Sequence, residues 1–393
     1  MAIILFDDNA HNTLLPLTYT RPVADLRIGI LTIAEKWSKY LDAGHSFFTQ
    51  DYLQAKFPLS IQANNIFING SVCPDEVLVE AINKLQDGQA LKYKDIVIAA
   101  RLNAADAKNF NVQAEFKHAT SYDRIPTVIR HPEDIFRKND IELRKDFRLL
   151  TKGRTSAVLS STNTIIGDYF FAEEGAQAEC CSFSTINGPI YLSANTEIWE
   201  GTHIRGPFAI CEHSQVKMGT KIYGATTVGP YSRVGGEINN AVIWGYSSKG
   251  HEGYLGNAVI GEWCNIGADS NNSNLKNNYS EVKLWDYTTK GYRSTGLQFC
   301  GLIMADHAKC GINTMFNTGT VVGVSANVFD AGYPDKFVPD FSWGGANGFE
   351  EYAFDKMMET AGRVFARREH RNFNETEKAV LAKVYELTKP FRG

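Results

Sequence analysis

Aliphatic residues recur at every sixth position along the middle of the chain: Ile186, Leu192, Ile198, Ile204, Ile210, Val216, Ile222, Val228 and Val234. Neither the 3.6-residue repeat of a helix nor the two-residue alternation of a strand keeps that spacing over such a length. A period of six fits a triangular parallel coil, in which each flat face contributes one inward aliphatic residue and about three hexads complete a turn. Gly201, Gly206, Gly219 and Gly224 suit its corners, where sharp bends favour a residue without Cβ. The pattern resumes at Tyr254, Ile260 and Ile266 and recurs less regularly over 302–328. A left-handed parallel β-helix of hexapeptide repeats is therefore expected over about 160–335. The period breaks between Val234 and Tyr254, and again in a polar stretch over about 270–300 that contains Asn271, Asn272 and Asn274. Insertions in a solenoid leave as loops on one face, commonly the binding face; otherwise they merely decorate the coil.

The first 130 or so residues carry a different pattern. Apolar strand-like runs at 3–6, 46–49, 66–69 and 95–100 alternate with amphipathic stretches at 28–41 and from Pro74 to about Leu85. Such alternation predicts a parallel sheet with crossover helices, an α/β domain of nucleotide-binding type. Ligands of such sheets sit beyond the carboxyl ends of strands, where Asp7 and Asp8 fall. Beyond the coil, Phe354, Met357, Met358, Ala361 and Phe365 form one helical stripe. Asn374 with Glu377 opens a second helix carrying Val380, Leu381, Val384 and Leu387. The stripe is expected to close the open end of the coil. The domains expected are 1–158 (α/β), 159–340 (β-helix) and 341–393 (helical).

Composition narrows the class. Net charge is −4 and hydrophobic residues make up 44% of the chain, which gives no reason to expect nucleic acid or membrane as a partner. No apolar run approaches the ~18 residues of a membrane span, and residues 1–8 lack the basic start of a signal peptide. The seven cysteines (73, 180, 181, 211, 264, 300, 310) form no CxxC pair. Reduced thiols in a cytoplasmic protein fit that count better than a disulfide framework or a zinc site.

The stretch His251, Tyr254, Leu255, Gly256, Ala258, Ile260, Gly261, Asn265, Ile266, Gly267, Ala268 resembles the H-x-x-Y-L/V-G-D-A-x-I-G-x-x-x-N-I-G-A segment of a known family. That family comprises the bifunctional N-acetylglucosamine-1-phosphate uridyltransferases/glucosamine-1-phosphate acetyltransferases, and the likeness extends to the GlmU family of bacterial sugar nucleotidyltransferases. The resemblance implies that His251 is the general base of acetyl transfer and that Tyr254 and Asn274 bind the sugar, with Asn265 among the substrate-binding positions. A neutral imidazole can take the proton that an amino sugar must lose at pH 7. Without the motif, a lone histidine reads as a surface or structurally bonded residue.

Several positions depart from the family. Tyr223 stands where it has a substrate-binding Arg and Asn239 where it has a Lys, so neither can pair with a sugar phosphate in the same way. In the first domain Thr20-Arg21-Pro22 resembles the T-R of the family's glycine-rich loop, but the glycines are missing. Arg27 falls near the family's P-K. Arg21, Arg27 and Lys36 could bind phosphates, or could be solvated charge around a helix start. After Asn69-Gly70, Ser71 replaces the Asp that holds Mg²⁺ in the family; Asp7, Asp8 or Asp75 could substitute, Asp75 reading better as a helix cap. His131-Pro132-Glu133-Asp134 resembles the segment bridging the family's domains and reads as structural.

The function implied is nucleotidyl transfer from an NTP to a sugar 1-phosphate with Mg²⁺, Arg27 and His251 being the catalytic residues of the two sites. The coil would be acetyltransferase-like with acetyl-CoA as donor, in a homotrimer. An acyltransferase alone, or a degenerate sugar-nucleotide-binding scaffold, are the alternatives. The sugar, the base of the NTP and the survival of acetyl transfer stay open.

Overall fold

A computed structural model describes residues 2–113, 116–367 and 371–392. They divide into two compact units, the first comprising 1–27 and 31–131, the second 28–30 and 132–393.

The first unit is built on a six-stranded sheet. Its strands are β1 (Ala2–Phe6), β2 (His45–Phe48), β3 (Asn64–Asn69), β4 (Gln89–Tyr93), β5 (Ile96–Asn103) and β6 (His118–Ser121), in the order β2-β1-β3-β5-β4-β6. The expected all-parallel sheet is corrected. β2, β1 and β3 run parallel, but β5 is antiparallel to both β3 and β4. The cause is local: only Lys94 and Asp95 link β4 to β5, and Lys94 takes a φ of 51°, so the chain folds back as a hairpin. Phe67 stacks on Phe110 with ring centroids 4.2 Å apart, over a core that includes Ile4, Phe6 and Ala100.

Helix α1 (Ile33–Leu41) begins later than the expected 28 because Thr32 caps it. The Thr32 hydroxyl accepts from Glu35 N–H at 3.1 Å, and Glu35 accepts from Thr32 N–H at 2.7 Å, a reciprocal capping box. Asp75 caps α2 (Glu76–Asn83), accepting from Leu78 N–H at 2.9 Å, which is the helix-cap role read for it.

The second unit opens with α3 (Pro132–Thr151). Asn139, fully buried on α3, accepts from Gly29 N–H at 2.7 Å and donates to Ala225 O at 2.8 Å. Asp146 accepts from Ile30 N–H at 2.7 Å. These bonds satisfy buried backbone groups that would otherwise cost stability, and they fix helix and coil together. Glu133 pairs with Arg293 at 2.8 Å, consistent with a structural reading of the 131–134 segment.

The rest of the unit is the expected parallel β-helix. One face stacks strands such as Phe208–Ile210, Thr226–Val228 and Ile303–Met304; another stacks His203–Arg205 and Lys221–Tyr223. A third forms a ten-stranded sheet that includes Arg233–Val234, Ser248–Lys249, Asn265–Ile266 and Lys309–Cys310. Eight of the nine hexad residues, Leu192 through Val234, are buried in one continuous core. Ile186 is 71% exposed, because residues 186–189 bulge before Ile190 resumes the wall. Where the period resumes, Ile260 and Ile266 lie in the core as expected, but Leu255 rather than Tyr254 points inward.

The break near 234 is a shortened turn. Arg233 pairs in register with Ser248, 15 residues on, whereas Gln215 pairs with Arg233, 18 on. Gly235-Gly236 cuts one corner (Gly236 at φ 79°), and strand Glu237–Ile243 turns a second at Asn240 (φ 50°), its two halves pairing on two faces. The later interruption leaves as an antiparallel hairpin, Lys283–Asp286 with Gly291–Ser294, whose Trp285 stacks on Phe337 at 4.1 Å.

Two corners carry glycine at positive φ: Gly201 and Gly219 in one, Gly224 in the other. The third carries Asn195, His213, Tyr231, Tyr246, Trp263, His307, Ser325 and Phe341, all at φ between 54° and 64°. Their rings stack from His213 through Tyr231 and Tyr246 to Trp263 at 4.8, 5.3 and 4.4 Å. A left-handed residue with Cβ costs roughly 1–2 kcal/mol, and each stacked pair returns about 0.5–1.5 kcal/mol.

The C-terminal helices, α4 (Phe354–Ala366) and α5 (Glu375–Leu387), do not divide labour as expected. Phe365 of α4 stacks on Trp263 at 3.9 Å, so the stripe with Met357 and Ala361 packs along the coil's flank rather than closing its end. Tyr385 of α5 meets Phe341 of the last corner at 5.1 Å.

Candidate functional site

In the first unit, the carboxyl ends of three parallel strands converge on a polar cluster. Asp7, one residue beyond β1, is buried; its Oδ1 accepts from Val23 N–H at 2.8 Å. Its Oδ2 accepts from the Thr49 hydroxyl at 2.5 Å and lies 3.0 Å from His11 Nδ1. Asp8 is only half-buried. It accepts from Ala10 N–H and from the Asn69 amide, both at 2.8 Å. Asn69 Oδ1 in turn accepts from Ser71 N–H at 2.9 Å and Ser71 Oγ at 2.7 Å, so Asn69-Gly70-Ser71 is tied to Asp8 through one amide.

The two carboxylates therefore differ as metal ligands. Asp7 is buried among Val23 N–H, the Thr49 hydroxyl and His11 Nδ1, which already engage both its oxygens. Asp8 keeps lone pairs and exposure, and a phosphate-bound Mg²⁺ needs only one or two carboxylates. Among the described residues no group of three His, Cys, Asp or Glu side chains is placed to hold a metal ion.

The cations of this unit are not gathered on an open surface. Arg21 is 4% exposed and pairs with Asp25 at 3.1 Å. Lys36 is 1% exposed on α1. Arg27 is more open and lies 3.7 Å from Glu35. Burial works to raise the Glu35 carboxyl, but the Arg27 charge and the Thr32 hydrogen bonds outweigh it and hold Glu35 below the usual range.

In the second unit, the face holding Lys221–Tyr223 brings together much of the expected sugar site. Register aligns Tyr223 with Asn239 and Glu237 with Tyr254 on successive strands. The Asn274 amide donates to Tyr254 Oη at 2.9 Å and to Asn257 Oδ1 at 2.7 Å, across 20 and 17 residues. Asn239 donates weakly to the same Tyr254 oxygen at 3.5 Å. Tyr223 donates to Glu237 at 2.5 Å, which raises its hydroxyl pKa before burial adds to the effect. His251 is exposed just before the strand, and its ring makes no hydrogen bond among the described residues.

Asn265 is not part of this group. It stands on the third face, in register with Ser248 and Lys309.

Sequence reasoning missed Lys249. It occupies the inward position in register with Val234 and is 2% exposed, yet Nζ donates to His251 O at 2.6 Å and Glu252 O at 3.3 Å. Burial lowers its pKa to about 8, with Glu252 working the other way. An ammonium inside the coil thus clamps the two carbonyls that precede Tyr254. A lysine where the hexads want an aliphatic residue was the available signal, hidden by the shortened turn.

Comparison with known proteins finds likenesses to parts of this chain. Residues 3–155 match the model of a family described as sugar nucleotidyl transferase. A bifunctional sugar-1-phosphate nucleotidylyltransferase/acetyltransferase of Sulfurisphaera tokodaii is 34% identical over 162 residues, 39% of this chain and 40% of that protein. The bifunctional protein GlmU of Methanocaldococcus jannaschii is 32% identical over 87 residues, 22% of this chain and 21% of its own. The chain thus spans about two fifths of the first relative and one fifth of the second. A solved UDP-N-acetylglucosamine acyltransferase of Francisella novicida aligns over 59% of this chain and 87% of its own, at 13% identity and a TM-score of 0.36. The chain joins a region similar to the sugar nucleotidyl transferase model to a parallel β-helix with C-terminal helices, and resembles in part a protein named for both transferase activities. Among the described residues no helix is long and apolar enough to cross a membrane.

Proposed function

We propose that this is a cytoplasmic enzyme of nucleotide-sugar formation. Its first unit transfers a nucleotidyl group from an NTP to a sugar 1-phosphate and releases pyrophosphate. The observation that carries the reading is the Asp8–Asn69 contact at 2.8 Å, which sets a half-buried carboxylate beyond two adjacent parallel strands inside the matched region. In the reaction a sugar-phosphate oxygen attacks the α-phosphorus, and the bond to the pyrophosphate leaving group breaks. Asp8 would hold Mg²⁺, which neutralises phosphate charge when bound. Arg27 would carry the charge that grows on the phosphates; Asp7 shapes the loop through Val23, Thr49 and His11. Arg21 and Lys36, both buried, support that loop and helix rather than meet substrate.

Incubation with Mg²⁺, mixed NTPs and a panel of sugar 1-phosphates, with products identified by mass spectrometry, tests this directly. Arg27→Ala should lower turnover by about 30- to 1000-fold, the rate equivalent of ~2–4 kcal/mol of lost transition-state stabilisation. Unchanged turnover would remove Arg27 from the site.

A second activity is favoured by the Tyr254–Asn274 contact at 2.9 Å. We propose that the coil transfers an acetyl group from acetyl-CoA to an amino sugar held by Tyr254 and Asn274. The amine attacks the thioester carbonyl, His251 accepts the proton it loses, and the CoA thiolate departs. Tyr223 and Asn239, both uncharged, fit an acceptor that presents hydroxyl or amide groups there rather than a phosphate dianion. His251→Ala should lower CoA release by roughly 10²–10⁴ and leave pyrophosphate release alone. No CoA release from wild-type protein with any amino sugar would leave the nucleotidyltransferase as the sole activity. Absence of both products would favour a sugar-nucleotide-binding scaffold.

A further inference from the structure

The third face of the coil carries a feature that neither reaction uses. Arg233, Ser248, Asn265 and Lys309 follow one another in register on successive strands, all pointing outward. Adjacent parallel strands lie ~4.8 Å apart, so the two cations stand roughly 14 Å apart at their backbones. Two short polar side chains lie between them. Long, short, short, long makes a trough, and α4 walls it with Val364 and Arg367. The resulting cleft measures about 350 Å³.

Its charge is one-sided. Arg233, Lys309 and Arg367 line it, and among the described residues that line it none is a carboxylate. Lys309 Nζ donates to His307 O at 2.7 Å, and no salt bridge to Arg233, Lys309 or Arg367 occurs among the described residues. The aromatic floor is closed to stacking, since Trp263 is covered by Tyr246 on one side and Phe365 on the other. A ligand here meets cations at the ends and neutral hydrogen-bonding groups in the middle, and gains nothing from an aromatic base.

We propose that this cleft binds a small phosphate ester of a polyol, with its phosphoryl group on the cations and its hydroxyls on Ser248 and Asn265. Phosphate on arginine is a charge-assisted, geometrically specific contact, and the hydroxyl-bearing body matches the serine and asparagine between the charges. The site is separate from the Tyr254 face, which lies on another sheet of the coil.

Lys309 gives the binding a pH signature. Burial lowers its pKa to about 8, with Cys264 working weakly the other way. An anion favours the ammonium, so binding takes up a proton as pH rises through 8, and affinity falls above that pH. The arginines stay charged, and burial pushes the Cys264 thiol and the Tyr246 hydroxyl upward. The His307 ring lies stacked beside Trp263.

Glucose 1-phosphate, with free glucose as control, is titrated calorimetrically into the full-length protein at pH 7.0 and 9.5 in two buffers of different ionisation heat. The expected result is saturable binding of the phosphate but not of glucose, weakened at least tenfold in Arg233→Gln and in Lys309→Met. Proton uptake should be seen in wild type and lost in Lys309→Met. Arg367→Ala, on an exposed helix end where folding is not at stake, should weaken binding several-fold. Equal affinity in all three variants would overturn the proposal, as would no binding at millimolar ligand. Binding that persists in these variants but is lost in Arg27→Ala would assign the ligand to the first unit instead. Displacement by micromolar coenzyme A would assign the cleft to the acyl donor and equally overturn it.

Discussion

Lys249 shows how much one side chain can set. A hexad position that wants valine holds an ammonium, and two carbonyls of the His251 loop satisfy it. Its folded pKa, about 8, lies below the ordinary 10.5, so the native state binds fewer protons than the unfolded chain between those values. Stability is therefore penalised below pH 8, and the penalty is relieved as pH rises towards 10.5. From pH 7 to 9.5 the wild type should gain about 2 kcal/mol relative to Lys249→Met in urea unfolding. A constant difference between the two proteins would mean that the amine is not desolvated. Residues of this kind explain what could be read beforehand. Tyr254 and Asn274 were legible because a long motif carried them, and they meet. Asn265 belonged to the same motif but fell on another face, since one turn of the coil turns a linear run through three directions. Asp7 and Asp8 were legible as residues beyond a strand, though nothing in their types told which one is locked by three donors.

At the scale of elements, the hexad period located the coil but not its irregularities. Leu192 to Val234 point inward as the spacing required, and so do Ile260 and Ile266, whereas after the turn shortened at Gly235-Gly236 Leu255 takes the inward place expected of Tyr254. Gly253 shows the tightness of that region: at φ 114°, a Cβ on it would lie 2.1 Å from Ser270 O. In the first unit, a hairpin through Lys94-Asp95 lacks the usual Asn-Gly signal, so β4 and β5 could not be told from crossover strands. Helix α4 was legible by its stripe, but its partner was not, because the stripe says only that something apolar covers it. That partner is the aromatic corner. Phe365→Ala should cost about 3 kcal/mol, since it empties a buried ring contact on Trp263. Thermal unfolding followed by near-ultraviolet dichroism should register both a lower midpoint and a changed aromatic signal. An unmoved midpoint would mean that α4 adds nothing to the coil.

For the whole molecule, a parallel coil with the proposed sugar-binding groups on a flat face does not by itself enclose an acyl donor. We expect a homotrimer about a three-fold axis, with neighbouring coils completing the acetyl site. Light scattering at micromolar concentration should return three times the monomer mass; a monomer would count against a shared site. The corner of stacked rings carries one more consequence, for how such a chain can change length. Each ring sits over the next only because successive turns bring the same backbone position to the same edge. Adding or removing one complete turn slides the whole column by one rung and leaves every neighbour matched. Adding half a turn would set a ring opposite a strand. Growth of this molecule along its axis is thus quantised, like a staircase that can gain a step but not part of one.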